Sequence, residues 1–188
     1  MQPLDTTAPA RPAPAPDIKQ LFDAYFAHVW RLLRRFGVRE AELDDAVQEV
    51  FRVVARRLAD IRAGSERAFL YGVALRVASN LARRETLRPP TTGLDSVPEL
   101  GDGRPSPEQQ LEQHQARALL DEVLEALPLE LRTVFVLAEL EGLQVKEIAE
   151  LEAIPTGTAS SRLRRAREEF SLLVKRLRAK LERQGGIR

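Results

Sequence analysis

QVKEIAELEAIPTGTASSRLRRAR, residues 144 to 167, reads as two short helices around a turn. Val145, Ile148, Ala149 and Leu151 give the first an apolar stripe, and Glu152 to Pro155 interrupt it, because proline cannot continue a helix. Thr156 is the expected N-cap of the second. There Ala159, Leu163, Ala166 and Phe170 recur at i, i+4, i+7 and i+11, so they point inward together and leave Thr158, Ser161, Arg164, Arg165 and Glu168 outward. The pattern is a helix-turn-helix. Its outer face suits a DNA major groove, since arginine offers a fork of donors to guanine edges or phosphates and small hydroxyls permit close approach. The plainer reading is a solvated amphipathic helix whose arginines keep it soluble.

Charge separates the two readings. The whole chain of 188 residues carries a net charge of only +1, which would argue against a nucleic-acid protein if spread evenly. It is not spread evenly. Asp121 to Glu152 holds nine acidic and two basic residues, whereas Thr156 to Arg188 holds ten basic and three acidic ones.

Working outward, Leu111 to Leu127 and Leu129 to Glu141 are helical in pattern, with Pro128 at a helix start and Gly142 closing the second. Upstream, Pro89 to Gln110 contains five prolines, three glycines and an acidic excess, the composition of an extended linker. Residues 1 to 16 contain five prolines and few large apolar groups, so they read as a disordered tail. Between tail and linker lie three more helices. Leu21, Phe22, Tyr25, Phe26, Val29, Trp30 and Leu33 make the apolar face of the first, which Gly37 ends. Leu43, Ala46, Val47, Val50, Phe51, Val54, Ala55 and Leu58 make that of the second, and its polar stripe of Asp45, Gln48, Glu49 and Arg52 is able to receive a partner. In the third, Leu70, Val73, Ala74, Val77, Ala78 and Leu81 pack inward while Arg76, Asn80, Arg83 and Arg84 form a second basic face. The fold class is therefore all-α: two small helical domains joined by a flexible, acidic Pro- and Gly-rich linker, the C-terminal one containing the helix-turn-helix. The boundaries are 1–16 for the tail, 17–88 for the first domain, 89–112 for the linker and 113–182 for the second domain.

Composition narrows the function. With no cysteine and only His28 and His114, far apart in sequence, neither disulfides nor a metal site is expected, and no cofactor is implied. No apolar run approaches the roughly 18 residues needed to span a bilayer. The Pro-rich N-terminus lacks the apolar core of a signal peptide, which places the chain in the cytoplasm without membrane insertion. No convergent catalytic group or Gly-rich phosphate loop points to an enzyme, and Glu139 and Glu141 read as surface carboxylates.

With these pieces assembled, the chain resembles the extracytoplasmic-function sigma factors, bacterial initiation factors that lend promoter recognition to RNA polymerase. DDAVQEVFRVV resembles the family's polymerase-binding helix, FLYGVALRVASNLARRE its promoter-melting helix, and LPLELRTVFVL with VKEIAE and IPTGTASSRLRRAR its C-terminal domain. The resemblance covers roughly residues 18 to 182 and two linked motif sets, which is more specific than one helix-turn-helix. It implies that 17–88 is sigma region 2 and 113–182 sigma region 4. Core RNA polymerase, promoter DNA and an anti-sigma factor are the implied partners. Asp45, Gln48, Glu49 and Arg52 would dock on the polymerase, with Phe51 as core support. Arg62, Ser65, Arg76, Asn80, Arg83 and Arg84 would handle the minus-10 element, where a flipped base needs a pocket and a basic path for its strand. Thr158, Ser160, Ser161, Arg162, Arg164 and Arg165 would read or brace the minus-35 element. The sequence departs from the family at Phe69, commonly Trp, at Gly72 and Leu75, often basic, at Arg76, often Asn, and at Ser160, often Lys or Arg. The competing reading is a polymerase-independent helix-turn-helix regulator acting as a dimer. A last expectation is electrostatic: the acidic segment and linker lie near the basic C-terminal helix in sequence, so the free protein should hold its two domains together until polymerase separates them.

Overall fold

The computed structural model describes residues 17–62, 64–85 and 107–183, with side chains from residue 116 onward in the last segment; the expected tail at 1–16 and most of the linker lie outside them. Seven α-helices follow in order: α1 (Ile18–Arg35), α2 (Glu40–Arg56), α3 (Glu66–Glu85), α4 (Pro107–Glu125), α5 (Leu129–Phe135), α6 (Val145–Glu152) and α7 (Thr156–Arg183). There is no strand among the described residues.

Local chemistry sets the helix ends. Asp17 caps α1 by accepting the Lys19 N–H at 3.3 Å. At the other end Gly37 takes φ +92°, which lets its N–H reach the Arg34 carbonyl at 2.8 Å and the Val38 N–H reach that of Leu33 at 3.1 Å. Glu40 and Glu42 stand in the first turn of α2 and Arg56 in its last, both complementing the helix dipole. Helix α4 begins at Pro107, inside the span read as linker, because proline at the start of a helix forfeits no hydrogen bond.

Helices α1, α2 and α3 pack together, and α5, α6 and α7 form a second unit against which α4 lies along α7. Leu32 and Leu33 of α1, Leu43 and Val50 of α2 and Leu70 and Ala74 of α3 are almost fully buried in the first. Leu124, Leu131, Leu137 and Ile148 are buried in the second, where the Phe170 ring stacks on Phe135 at 4.4 Å. Each such leucine contributes roughly 1.5 to 3 kcal/mol of transfer free energy.

Two expected core positions differ. Phe22 is 40% exposed and rests its ring on Phe26 and Phe51 at the margin of the core. Ala55 is exposed, whereas Leu58, in a 3-10 turn (Leu58–Asp60) past the end of α2, still packs partly buried against the core as expected. Conversely, Tyr71 and Leu75 of α3 are buried although they lie off the stripe through Leu70, Val73 and Ala74. The second surface that covers this side of α3 is α6, since the two units pack on each other through α3 with α6 and α1 with α4.

Candidate nucleic-acid interface

The turn between α6 and α7 is built from backbone. The Glu147 carboxylate accepts the Gln144 N–H at 2.7 Å at the start of α6. At its end Ala153 adopts φ +54°, and the Ile154 N–H closes on the Ala149 carbonyl at 3.0 Å. Pro155 then offers its carbonyl to the N–H groups of Thr158 and Ala159 at 2.9 and 3.1 Å. Thr156, expected as the N-cap, is therefore already the first helical residue. Pro155 fills the capping place because its carbonyl starts the ladder.

One carboxylate ties three helices together. Glu152 of α6, its side chain only 7% exposed, accepts the Thr133 hydroxyl of α5 at 2.7 Å and the Arg162 guanidinium of α7 at 3.0 Å. A charge-assisted bond in such a partly buried place fixes the angle between α6 and α7. Ala159, Leu163 and Ala166 are buried beneath, as their spacing requires. Of the residues expected at the minus-35 element, Ser160, Ser161, Arg164 and Arg165 are exposed, Thr158 is half-buried, and Arg162 turns back onto Glu152. The Ser161 hydroxyl donates to the Thr158 carbonyl at 2.9 Å, and Arg164 pairs with Glu168 at 2.8 Å. Arg165 has no hydrogen-bond or ion-pair partner among the described residues.

Helix α3 carries the second basic face. Arg76, Asn80, Arg83 and Arg84 are all exposed, and their i, i+4, i+7, i+8 spacing puts them on one side over about 12 Å of helix. Just before the helix the Ser65 hydroxyl and N–H both donate to the Arg62 carbonyl, at 2.8 and 2.9 Å, leaving the Arg62 side chain exposed. Phe69 is half-buried, with the Arg57 guanidinium 5.4 Å from its ring centre. On α2, Asp45, Gln48 and Arg52 are exposed, and Glu49 pairs with Arg52 along the same strip. The structure thus puts Ser160, Ser161, Arg164 and Arg165 on the exposed side of α7, Arg76, Asn80, Arg83 and Arg84 on one side of α3 with Arg62 and Ser65 in the turn before it, and Asp45, Gln48, Glu49 and Arg52 along α2, while Arg162 turns away from its expected group.

Glu141 is the residue that sequence reasoning missed. Its side chain is 3% exposed, not a surface carboxylate. The chain passes from α5 into a π-helical turn, Val136–Leu140, closed by the Glu141 N–H on the Val136 carbonyl at 3.1 Å. That wider turn rotates Glu141 out of the 3.6-residue register. Its carboxylate accepts the Tyr71 hydroxyl at 2.6 Å and the guanidinium groups of Arg67 at 3.2 Å and Arg35 at 3.3 Å, and lies 3.4 Å from His28 Nε2. Burial, with the neighbouring Glu141 charge, pushes the Tyr71 phenol well above its ordinary range. Glu139, by contrast, is half-exposed and pairs with Arg167 at 2.7 Å.

Comparison with known proteins accords with this arrangement. The family model for sigma-70 region 2 matches residues 21–88, and that for sigma-70 region 4 matches residues 117–170. The ECF RNA polymerase sigma-E factor of Escherichia coli strain K12 is 32% identical over 161 residues, covering 81% of this chain and 84% of its own. The RNA polymerase sigma-H factor of Pseudomonas aeruginosa is 33% identical over 162 residues, covering 80% and 84%. Among solved structures, the sigma factor RpoE of Bartonella quintana in complex with the anti-sigma factor NepR is similar at TM-score 0.64 and 20% identity, covering 85% of this chain and 97% of that one. CnrH in complex with the cytosolic domain of CnrY is similar at TM-score 0.58 and 23% identity, covering 84% and 87%. At those identities the two structures speak for the fold, while the sequence relatives carry the family: the chain belongs to the ECF sigma factors, which bind core RNA polymerase and direct promoter recognition, DNA melting and transcription initiation.

Proposed function

We propose that the three helix faces divide this work between them. Ser160, Ser161, Arg164 and Arg165 read or contact the minus-35 duplex, Thr158 lines the entry to that face, and Arg162 braces it through Glu152. Arg62, Ser65, Arg76, Asn80, Arg83 and Arg84 receive the minus-10 strand as it opens. Asp45, Gln48, Glu49 and Arg52 dock on core polymerase. On this reading residues 17–88 act as region 2, 113–182 as region 4, and 89–112 as the connection between them. The protein works by binding alone, in the cytoplasm where core polymerase is found. An anti-sigma factor is its regulatory partner, a reading supported by the likeness to the NepR-bound sigma factor.

The observation that carries this assignment is the α7 face. It presents Arg165, unpaired among the described residues, beside two exposed serines on a helix whose angle is pinned by a buried carboxylate. Transcription in vitro from genomic promoter fragments tests it, with purified core polymerase in the presence and absence of this protein. Specific transcripts are expected only in its presence. A dimer that protects a palindrome without polymerase would instead favour the stand-alone regulator.

A further inference from the structure

Helix α7 continues to Arg183, well past residue 170, where the region 4 match ends. Its inward stripe of Ala159, Leu163 and Ala166 is buried, and Phe170, Leu173, Leu177 and Leu181 continue it half-buried. At about 100° per residue the opposite side carries Ser161 and Arg165, then Glu168, Glu169, Leu172, Lys175 and Arg176, all of them exposed. Leu172 is 48% exposed, and only it and Phe22 are large apolar side chains left so open among the described residues. Carboxylates repel phosphates, so the stretch that suits DNA ends at Glu168 and Glu169. From there on the face has an apolar centre and a charged rim, which suits a protein.

The charges around Leu172 are arranged antisymmetrically. Glu168 and Glu169 stand four and three residues before it, Lys175 and Arg176 three and four residues after it. A two-fold axis through Leu172, perpendicular to α7, therefore sets Leu172 of one copy on Leu172 of another. The same operation sets Glu168 against Arg176 and Glu169 against Lys175, each pair occurring twice. A parallel pairing would put like charge against like at all of these places. In the antiparallel register Ala179 of one copy lies across from Arg165 of the other, and Arg183 across from Ser161. The like-charged match is Arg164 against Lys180, and it is blunted because Arg164 already pairs with Glu168 at 2.8 Å and Lys180 with Glu122 at 3.8 Å. Those exposed pairs are weak enough to share their carboxylates with a newcomer. The face is open along its length, so a second helix fits at the roughly 8 to 10 Å axis separation of packed helices.

We propose that this side of α7 is a self-docking surface, through which two copies of the chain pair antiparallel about Leu172. One helix against another is a contact at the low end of interface areas, below about 1,200 Å², so the pairing is weak and reversible. It covers Ser161 and Arg165. Its consequence rests on the promoter reading above: the paired form is unable to contact the minus-35 element, and dimer and promoter complex are alternatives. Such a dimer also differs from a stand-alone regulator, whose two recognition helices must both stay free to read a palindrome.

Sedimentation velocity of the full chain over a range of concentrations tests the pairing. Wild type should form reversible dimers. Glu168→Lys with Glu169→Lys should raise the dimer dissociation constant at least about tenfold, and so should Lys175→Glu with Arg176→Glu, each with unchanged helicity by circular dichroism. An equimolar mixture of the two variants should associate again, because every match in the mixed pair sets a cation against a carboxylate. A wild type that stays monomeric, or a mixture no more associated than its components, would overturn the proposal. A second arm uses the lack of native cysteine. Leu172→Cys, on the axis, should be bridged between copies by a short bis-methanethiosulfonate reagent in much higher yield than Ala179→Cys, which lies off it. Equal yields would refute the register. The bridged Leu172→Cys protein should lose transcription with core polymerase and regain it on reduction, and full transcription while bridged would defeat the exclusion of promoter binding. Association is measured without DNA or polymerase, so a failure of the promoter reading would show only as absent transcription from the reduced protein.

Discussion

Arg165 stands on α7 one turn beyond Ser161, exposed and without an ion pair among the described residues, so its guanidinium meets a guanine edge or a phosphate without first breaking one of their ion pairs. Arg165→Ala should weaken minus-35 binding by roughly 1 to 3 kcal/mol while leaving polymerase binding intact. Unchanged transcription from a promoter that depends on the minus-35 element would take Arg165 out of the interface. His28 poses a different question, because burial lowers its pKa below the ordinary 6.5. The facing Glu141 opposes that shift, and Arg67, Arg31 and Arg35 add to it. The folded protein thus binds fewer protons here than the unfolded chain, and stability rises with pH. The contribution is fully present above the unfolded value and is lost as pH falls through the lowered folded one. The melting temperature should accordingly drop on going from about pH 7.5 to about pH 5.5, and drop less in His28→Gln. Equal pH dependence in the two proteins would contradict it.

At the scale of elements, the helix-turn-helix contains one conformational cost. Ala153 is the only non-glycine residue at positive φ among the described residues, and a left-handed alanine carries a penalty of about 1 kcal/mol that glycine avoids. Ala153→Gly should therefore raise stability by about 1 kcal/mol, less the extra freedom glycine gains when unfolded. A lower urea midpoint would show that the methyl group contributes more than the strain costs. Helix α3 is less simple, since its sides have different duties: Leu70 and Ala74 face the first core, Gly72 faces α6, and Arg76 and Asn80 remain exposed. Replacing both Arg76 and Asn80 with alanine should permit closed promoter complexes but few open ones. Permanganate reactivity of unpaired thymines measures this directly, and undiminished reactivity would sink the assignment.

For the molecule as a whole, the strip proposed to dock on polymerase and the contact between the two units lie on different surfaces. Helix α2 packs on α1 and α3, and its exposed strip of Asp45, Gln48, Glu49 and Arg52 stays open while the two units are closed on each other. Replacing Gln48 and Glu49 with lysine should reduce retention on immobilised core enzyme several-fold without loss of helicity, as expected where surface charges steer association. Equal retention of variant and wild type would remove this strip from the docking surface.

The period of the apolar residues was enough to reveal most helices, because burial against a single neighbour imposes a 3.6-residue rhythm that residues such as Leu43, Val50, Ala159 and Leu163 keep. Turn chemistry was legible for a similar reason: Gly37 and Pro155 restrict the backbone locally, whatever surrounds them. The exposed side of α7 and the polar strip on α2 followed from those helices as the positions their apolar stripes leave outward. The rest depended on neighbours distant in sequence. Tyr71 is buried because the second unit covers another side of α3, and Phe22 stays partly exposed because nothing among the described residues fully covers it. Arg162 is drawn from the exposed side of α7 by Glu152, ten residues earlier and across a turn. Glu141 was unreadable in sequence because a π-helical turn shifts its direction and its donors come from 70 to more than 100 residues away. Periodicity records which side of a helix avoids water; only the assembled structure decides which charges meet there.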